Sequence, residues 1–273
     1  MADQPGTSTI TGRMNDATDI LSIAIETSSR RGGVALGRGD ELVQAEAFDA
    51  SARHATQLLS RLDALLARAD LRPIDLNEVY VSAGPGSFTG LRIGVTVART
   101  LAQAVPGLRC VAVPTTWALA DGARETDAQH LAVALDARHG QVWAARFDRR
   151  DGTVAPAGEP VVAAPQELLA GWPRPLLLLG EATAHEDFSA DRIEIPPADS
   201  PLHVPTADSI WRVGRRLPRA GQFTDGAPLP PSYSRTPAAL RQWPDRHPPA
   251  RRPNAASKTQ VAARRPRPAE DPP

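Results

Sequence analysis

Three short apolar runs follow one another with almost nothing between them: ILSIAIE, VALG and ELVQAEAF, spanning residues 20–48. Tight connections between runs of this length predict antiparallel strands, with ETSSRRGG forming the first turn. The pattern then changes period. ARHATQLLSRLDALLARAD places Ala55, Leu58, Leu59, Leu62, Leu65 and Leu66 at helical spacing, and VYVSA returns to a strand. TGLRIGVTVARTLAQAV predicts a second helix from about Thr89 to Val105, and LRCVAVP a fifth strand. Few architectures accept a meander of three strands that gives way to two strand–helix crossovers.

That order predicts an α/β fold with mixed sheets, of the ribonuclease-H-like kind found in each lobe of the two-lobed actin/sugar-kinase (ASKHA) architecture, and not a dinucleotide-binding fold. After a helix opening at Thr115, the runs LAVALDAR, QVWAARFD, TVAPAG and LLLLGEAT, with the helix ADSIWRVGRRL, form a smaller half that echoes the first. The domains expected are a first lobe over 19–114 and a second over 115–243. A polar N-terminal extension over 1–18 and a Pro/Arg-rich tail over 244–273, both expected to be disordered, flank them. Either Met1 or Met14 serves as a start.

Thirty-one basic residues balance 31 acidic ones, so no global field points to nucleic acid or membrane. The tail from Asp245 to Pro273 is an exception, with seven Lys/Arg against three Asp/Glu, and reads as solubilising. The single cysteine, Cys110, lies in an apolar run and predicts a buried, inert thiol in a reducing cytoplasm. No apolar run approaches the ~18 residues of a membrane span. The polar start lacks the apolar segment of a signal peptide.

Chemistry concentrates in GPGSFTGLRIG, residues 84–94, which joins the fourth strand to the second helix. Ser87 and Thr89 suit a helix N-cap, and Gly84 or Gly86 can take positive φ. Free N–H groups at such a helix start attract anions, and Arg92 adds a charge. The spacing matches neither common phosphate-loop motif, and no lysine is present. Glu26, Thr27 and Ser28 end the first strand, either facing a nucleotide's metal and phosphates or simply forming a hydroxyl-rich turn. Weak anion or nucleotide contacts are therefore assigned to Glu26, Thr27, Ser28, Gly84, Gly86, Ser87 and Arg92.

The same stretch opens a small-residue stripe, Gly90, Gly94, Ala98 and Ala102, along one helix face. Glycine costs roughly 1 kcal/mol against alanine inside a helix, so something must approach closely. That partner is either the helix after His54 or a helix of another chain. Leu91, Val97 and Leu101 flank the stripe. The six histidines, His54, His130, His139, His185, His203 and His247, never stand three to five residues apart, so no H-x-x-x-H metal pair exists. No catalytic or metal-binding residue is assigned.

ILSIAIETSS, HATQLLSRLDALL, SAGPGSFTGLRIG and LDARHGQVWAARF, in this order, resemble the bacterial TsaB (YeaZ) family, and GPGSFTGLRIG is its most specific string. PTTWALA and PPSYSRTPAALRQW resemble two further family motifs. The resemblance covers about residues 20–243. Glu26 stands where Asp is commoner, and Ser82-Ala83 where Gly-Arg is common. The resemblance implies a non-catalytic scaffold subunit that dimerises with a TsaD-type threonylcarbamoyltransferase, in forming threonylcarbamoyladenosine next to the tRNA anticodon. Other implied partners are a TsaE-type ATPase and tRNA through the complex, with a homodimer formed by the isolated chain. The chain itself requires no cofactor, and ATP or ADP is placed at the interface with the partner. The interface is assigned to His54, Leu58, Gly90, Leu91, Gly94, Val97, Ala98, Leu101 and Ala102. The alternative is an ATP-using phosphotransferase or metalloprotease-like enzyme of the same fold, with Glu26 and Asp136 as its carboxylates.

Overall fold

The computed structural model describes residues 19–49, 54–138 and 140–219, with the side chains of residues 54–56, 138 and 218–219 outside that description. The tails, His139, His247 and PPSYSRTPAALRQW lie outside the described residues.

The first sheet begins as the expected meander. Strands β1 (Leu21–Glu26), β2 (Arg31–Arg38) and β3 (Glu41–Asp49) pair antiparallel in sequence. Strand β4 (Glu78–Gly84) then joins β1 in parallel, and β5 (Arg109–Pro114) joins β4, giving the order β3-β2-β1-β4-β5. Parallel neighbours need a crossover, which helices α1 (His54–Arg68) and α2 (Phe88–Ala104) supply. β1 and β4 are buried along their whole length, which is why both read as unbroken apolar runs. β3 is the edge strand, and its side chains alternate in exposure.

Strand alternation splits the core in two. Ile23, Ile25, Val34, Leu36, Val79 and Val81 pack with Leu58, Leu62, Leu65, Leu66, Val95 and Ala98 of α1 and α2. Ala24, Ala35, Tyr80, Val111 and Val113 face the other way, toward α5 (Ala207–Arg219). The grouping of α5 with the second half in the sequence reading is thus corrected by its packing. Its apolar face, Ile210, Trp211, Val213 and Leu217, completes the first sheet's core. Gly37 lies flat beneath the Trp211 indole, and Gly214 lets α5 approach the Tyr80 ring. The indole Nε1–H donates to Ser22 Oγ at 2.9 Å.

The second sheet repeats the first. β6 (His130–Arg138), β7 (Gln141–Arg150) and β8 (Thr153–Pro156) form a meander, then β10 (Leu176–Leu179) and β11 (Ile193–Glu194) add in parallel. Read from the meander edge, both sheets have their third, second, first, fourth and fifth strands in that order. β9 (Val161–Ala163) pairs with β7 beyond β8, so the two behave as one edge strand interrupted at residues 157–160. Gly84 and Gly180, at equivalent strand ends, share an unusual backbone with φ of 106° and 104°. A side chain at Gly180 would run into the Ala134 carbonyl. The crossovers have shrunk: α4 (Pro165–Ala170) is 6 residues against 15 in α1, and a 3₁₀ turn at Glu181–Ala184 replaces the second helix.

Helix α3 (Thr115–Gly122) lies between the sheets, with Trp117 touching both cores. The buried Asp121 accepts from Arg212 Nε at 2.7 Å and Arg216 Nη2 at 2.6 Å, tying α3 to α5. Its side chain is 3% exposed against 20% and 32% for the two arginines. Asp121→Asn removes the carboxylate that the two guanidiniums share, although Arg212 keeps Asp208 at 2.8 Å, and is expected to destabilise the chain by about 2 kcal/mol. Urea denaturation measures this, and an unchanged midpoint would count against a stabilising α3–α5 tie.

Candidate partner surface on helices α1 and α2

The end of β1 and the glycine loop close on one another. Glu26 Oε1 accepts from the Ser28 backbone N–H at 2.5 Å and from Ser28 Oγ at 2.6 Å, which tightens the turn after β1. Thr27 N donates to Ser82 Oγ at 3.2 Å, fixing that turn to β4. The Ser28 carbonyl accepts from Ser87 N at 2.7 Å, and Ser87 Oγ, the N-cap of α2, accepts from Gly90 N at 3.3 Å. Gly84 N donates to Thr115 Oγ1 at 3.2 Å.

This closure explains the glycines. A Cβ at Gly86 would stand 2.6 Å from the Ser28 carbonyl, and one at Gly90 would strike the Thr27 carbonyl. At Gly94 it would meet the Thr27 hydroxyl and press on Val81 and Ile25. The close approach that the stripe permits is therefore to the turn after β1. The expectation that a second chain's helix fills it is corrected on that ground. Leu91 and Ala98 are fully buried, as is Leu58 from α1. Gly90 and Gly94 are buried too, so five of the nine assigned interface residues face inward. Val97, Leu101 and Ala102 are partly buried at its margin. His54 opens α1, with its side chain outside the described residues.

Six of the seven candidate anion contacts are gathered here, and Glu26, Ser28 and Ser87 among them are bonded in sequence. Ser87 N–H is taken by Ser28, Gly90 N–H by Ser87, and the Thr27 carbonyl covers Gly90. Arg92 points away, its guanidinium 5.3 Å from the Phe88 ring centre on the outside of α2. The buried Glu26 places a carboxyl behind the turn, where its Oε2 has no hydrogen bond of good geometry. Burial pushes this carboxyl up from 4.5 to about 7, with the Ser28 bonds only partly offsetting it. Cys110 is buried, its Sγ 3.7 Å from the Ala98 carbonyl, and burial raises its thiol to about 11, which suits an inert role. Among the described residues no three His, Cys, Asp or Glu side chains converge as metal ligands. Among them too, no helix is long and apolar enough to cross a membrane.

What faces outward is a different set. Leu59 on α1 is 54% exposed and Phe88 on α2 43%. Ile93 and Val97 are half-exposed one helical turn apart, with Arg92, Thr96, Arg99 and Thr100 around them. α1 and α2 touch each other and cover the same side of the sheet. The sequence reading missed Leu59, Phe88 and Ile93.

Two variants test this arrangement. Gly94→Leu is expected to destabilise the isolated chain by about 3 kcal/mol through overpacking, seen as a lower melting temperature. An unchanged melting temperature would contradict the inward stripe. For Glu26, the folded state keeps a proton that the unfolded chain has lost between pH 4.5 and about 7. Its contribution to stability therefore falls as pH rises through that window and is level above it. Glu26→Gln removes this loss and is expected to exceed the parent by about 3 kcal/mol at pH 8, with little difference near pH 4.5. Urea midpoints that stay parallel across this range would contradict a buried, uncompensated carboxyl.

The model of a family described as TsaD, tRNA N6-adenosine threonylcarbamoyltransferase, matches residues 48–210. The chain is similar to the tRNA threonylcarbamoyladenosine biosynthesis protein TsaB of Bacillus subtilis, with 30% identity over 231 residues, 81% of this chain and 96% of that relative. It is also similar to TsaB of Escherichia coli, with 32% identity over 133 residues, 48% of this chain and 57% of the relative. Among solved structures, YeaZ from Pseudomonas aeruginosa superposes with a TM-score of 0.67 at 23% identity, covering 78% of this chain and 99% of YeaZ. That likeness shows a shared fold, here two mixed sheets with matching strand orders. The near-complete span of the Bacillus relative places the chain in a family: it belongs to the TsaB family, within the broader family that the TsaD model describes.

Proposed function

We propose that this chain is a non-catalytic accessory subunit which binds a TsaD-type threonylcarbamoyltransferase and supports formation of threonylcarbamoyladenosine on tRNA in the cytoplasm. The observation that carries the reading is the outward apolar surface of α1 and α2, on a chain of the TsaB family. Leu59, Phe88, Ile93 and Val97 give that surface an apolar centre, and Arg92 and Arg99 give it a charged margin. The inward stripe acts indirectly, since Gly90 and Gly94 set α2 deep against β1 and so fix where its outer face stands.

In this reading ATP or ADP belongs to the partner's side of the assembly or to the joint interface. In support, two N–H groups of the chain's own glycine loop, those of Ser87 and Gly90, are taken by Ser28 and Ser87. A TsaE-type ATPase and tRNA engage the complex and not the isolated subunit. Self-association of the isolated chain through the same surface is compatible with this role, because a partner-free apolar face favours any complementary copy.

Titration of the host's TsaD-type protein with this chain tests the proposal. Association is expected for the parent, and weakening by about 100-fold for Leu59→Glu combined with Val97→Glu, with melting temperature nearly unchanged. The chain alone is expected to transfer no threonylcarbamoyl group to tRNA when supplied with threonylcarbamoyl-adenylate. Equal affinity of the double variant would overturn the surface, and transfer by the chain alone would overturn the accessory role.

A further inference from the structure

The α4 side of the second sheet carries an open cavity of about 370 Å³, far from the α1–α2 surface in sequence and built from β7, β9 and α4. It exists because α4 is a short remnant of the crossover helix that fully covers the first sheet. Ala144, Leu168 and the half-buried Trp172 give it an apolar floor. Arg146 enters from β7, half-buried, and Glu159 and Glu167 stand exposed at the rim.

Arg146 is the informative residue. Its neighbours on the same strand are committed: Arg149 donates to the carbonyls of Ala128, Arg124 and Ala123, and Arg150 pairs with Asp148. Among the described residues, Arg146 has neither a carboxylate within 4 Å nor a hydrogen-bond acceptor for its side chain. Its guanidinium N–H groups reach solvent at the cavity, where an anion can replace water. The interruption between β8 and β9 leaves room for one. Ala157 N still donates to the Arg146 carbonyl at 2.9 Å, holding the strand in place. Gly158, at φ 110°, then turns the chain aside, and a side chain there would stand 3.4 Å from Arg146 Nη2.

From this cavity we infer a binding site for a small zwitterion with an apolar side chain, an apolar amino acid being the simplest case. Its carboxylate pairs with Arg146, its ammonium faces Glu159 or Glu167, and its side chain lies on Leu168 and Trp172. The two rim carboxylates disfavour a phosphate or other multiply charged anion, and a neutral apolar ligand would leave Arg146 unpaired. This inference is independent of the accessory role proposed above.

The test is a titration of the full chain with L-leucine, read at the Trp172 indole N–H resonance, which Trp172→Phe identifies. A saturable shift is expected. L-leucinamide, lacking the carboxylate, and N-acetyl-L-leucine, lacking the ammonium, are each expected to bind about tenfold more weakly or worse. Arg146→Gln, exposed enough to leave the fold intact by its melting temperature, is expected to abolish saturation. Absence of a saturable shift with L-leucine, equal binding of either analogue, or full response in a folded Arg146→Gln chain would each overturn the site. Should Arg146→Gln fail to fold, the analogue series alone decides.

Discussion

The turn after β1 locks onto the start of α2, and the rest of the first lobe is arranged around that contact. Two carbonyls, of Thr27 and Ser28, occupy positions where side chains at residues 86 and 90 would otherwise stand. The backbone N–H of Ser87 completes the lock from the other side. A helix held this close to the sheet can present its opposite face at a fixed height beside α1. The interaction also takes up two N–H groups at the start of α2, those of Ser87 and Gly90. One local arrangement thus sets the depth of α2 against the sheet and takes up part of the loop's hydrogen-bonding capacity.

Duplication with unequal elaboration shapes the remainder. Both sheets repeat one strand order, but the first retains long crossover helices while the second has a six-residue helix and a 3₁₀ turn. Long helices create a broad outer surface, suited to a macromolecule. A truncated one leaves a concavity, suited to something small. Helix α5 crosses back to the first sheet, and its arginines meet Asp121 of α3. The two lobes are joined by chain exchange and a buried charge cluster as well as by α3 itself.

Much of this was legible in the residues. Period-2 and period-3.6 runs of Ile, Leu and Val located β1–β8, β10 and the helices α1, α2, α3 and α5, because burial on one or both faces leaves a strong pattern. β9, β11 and α4 were not legible: elements of two to six residues carry too few side chains for any period to show. The stripe of Gly90, Gly94 and Ala98 was seen correctly as a mark of close approach, but its partner was not. Spacing reports that something comes near, and does not distinguish the backbone of residues 27–28 from another chain. The α5 assignment failed for a related reason, since an amphipathic helix states which face is apolar and not which sheet receives it.

The central claim is that the outer side of α1 and α2, and not the inward stripe, meets a TsaD-type partner. Hydrogen–deuterium exchange of the chain with and without that partner tests it most directly. The account predicts added protection over residues 57–64 and 88–100, with the β6–β11 sheet unchanged. Protection confined to the second sheet, or a stable complex with no change in α1 and α2, would contradict it.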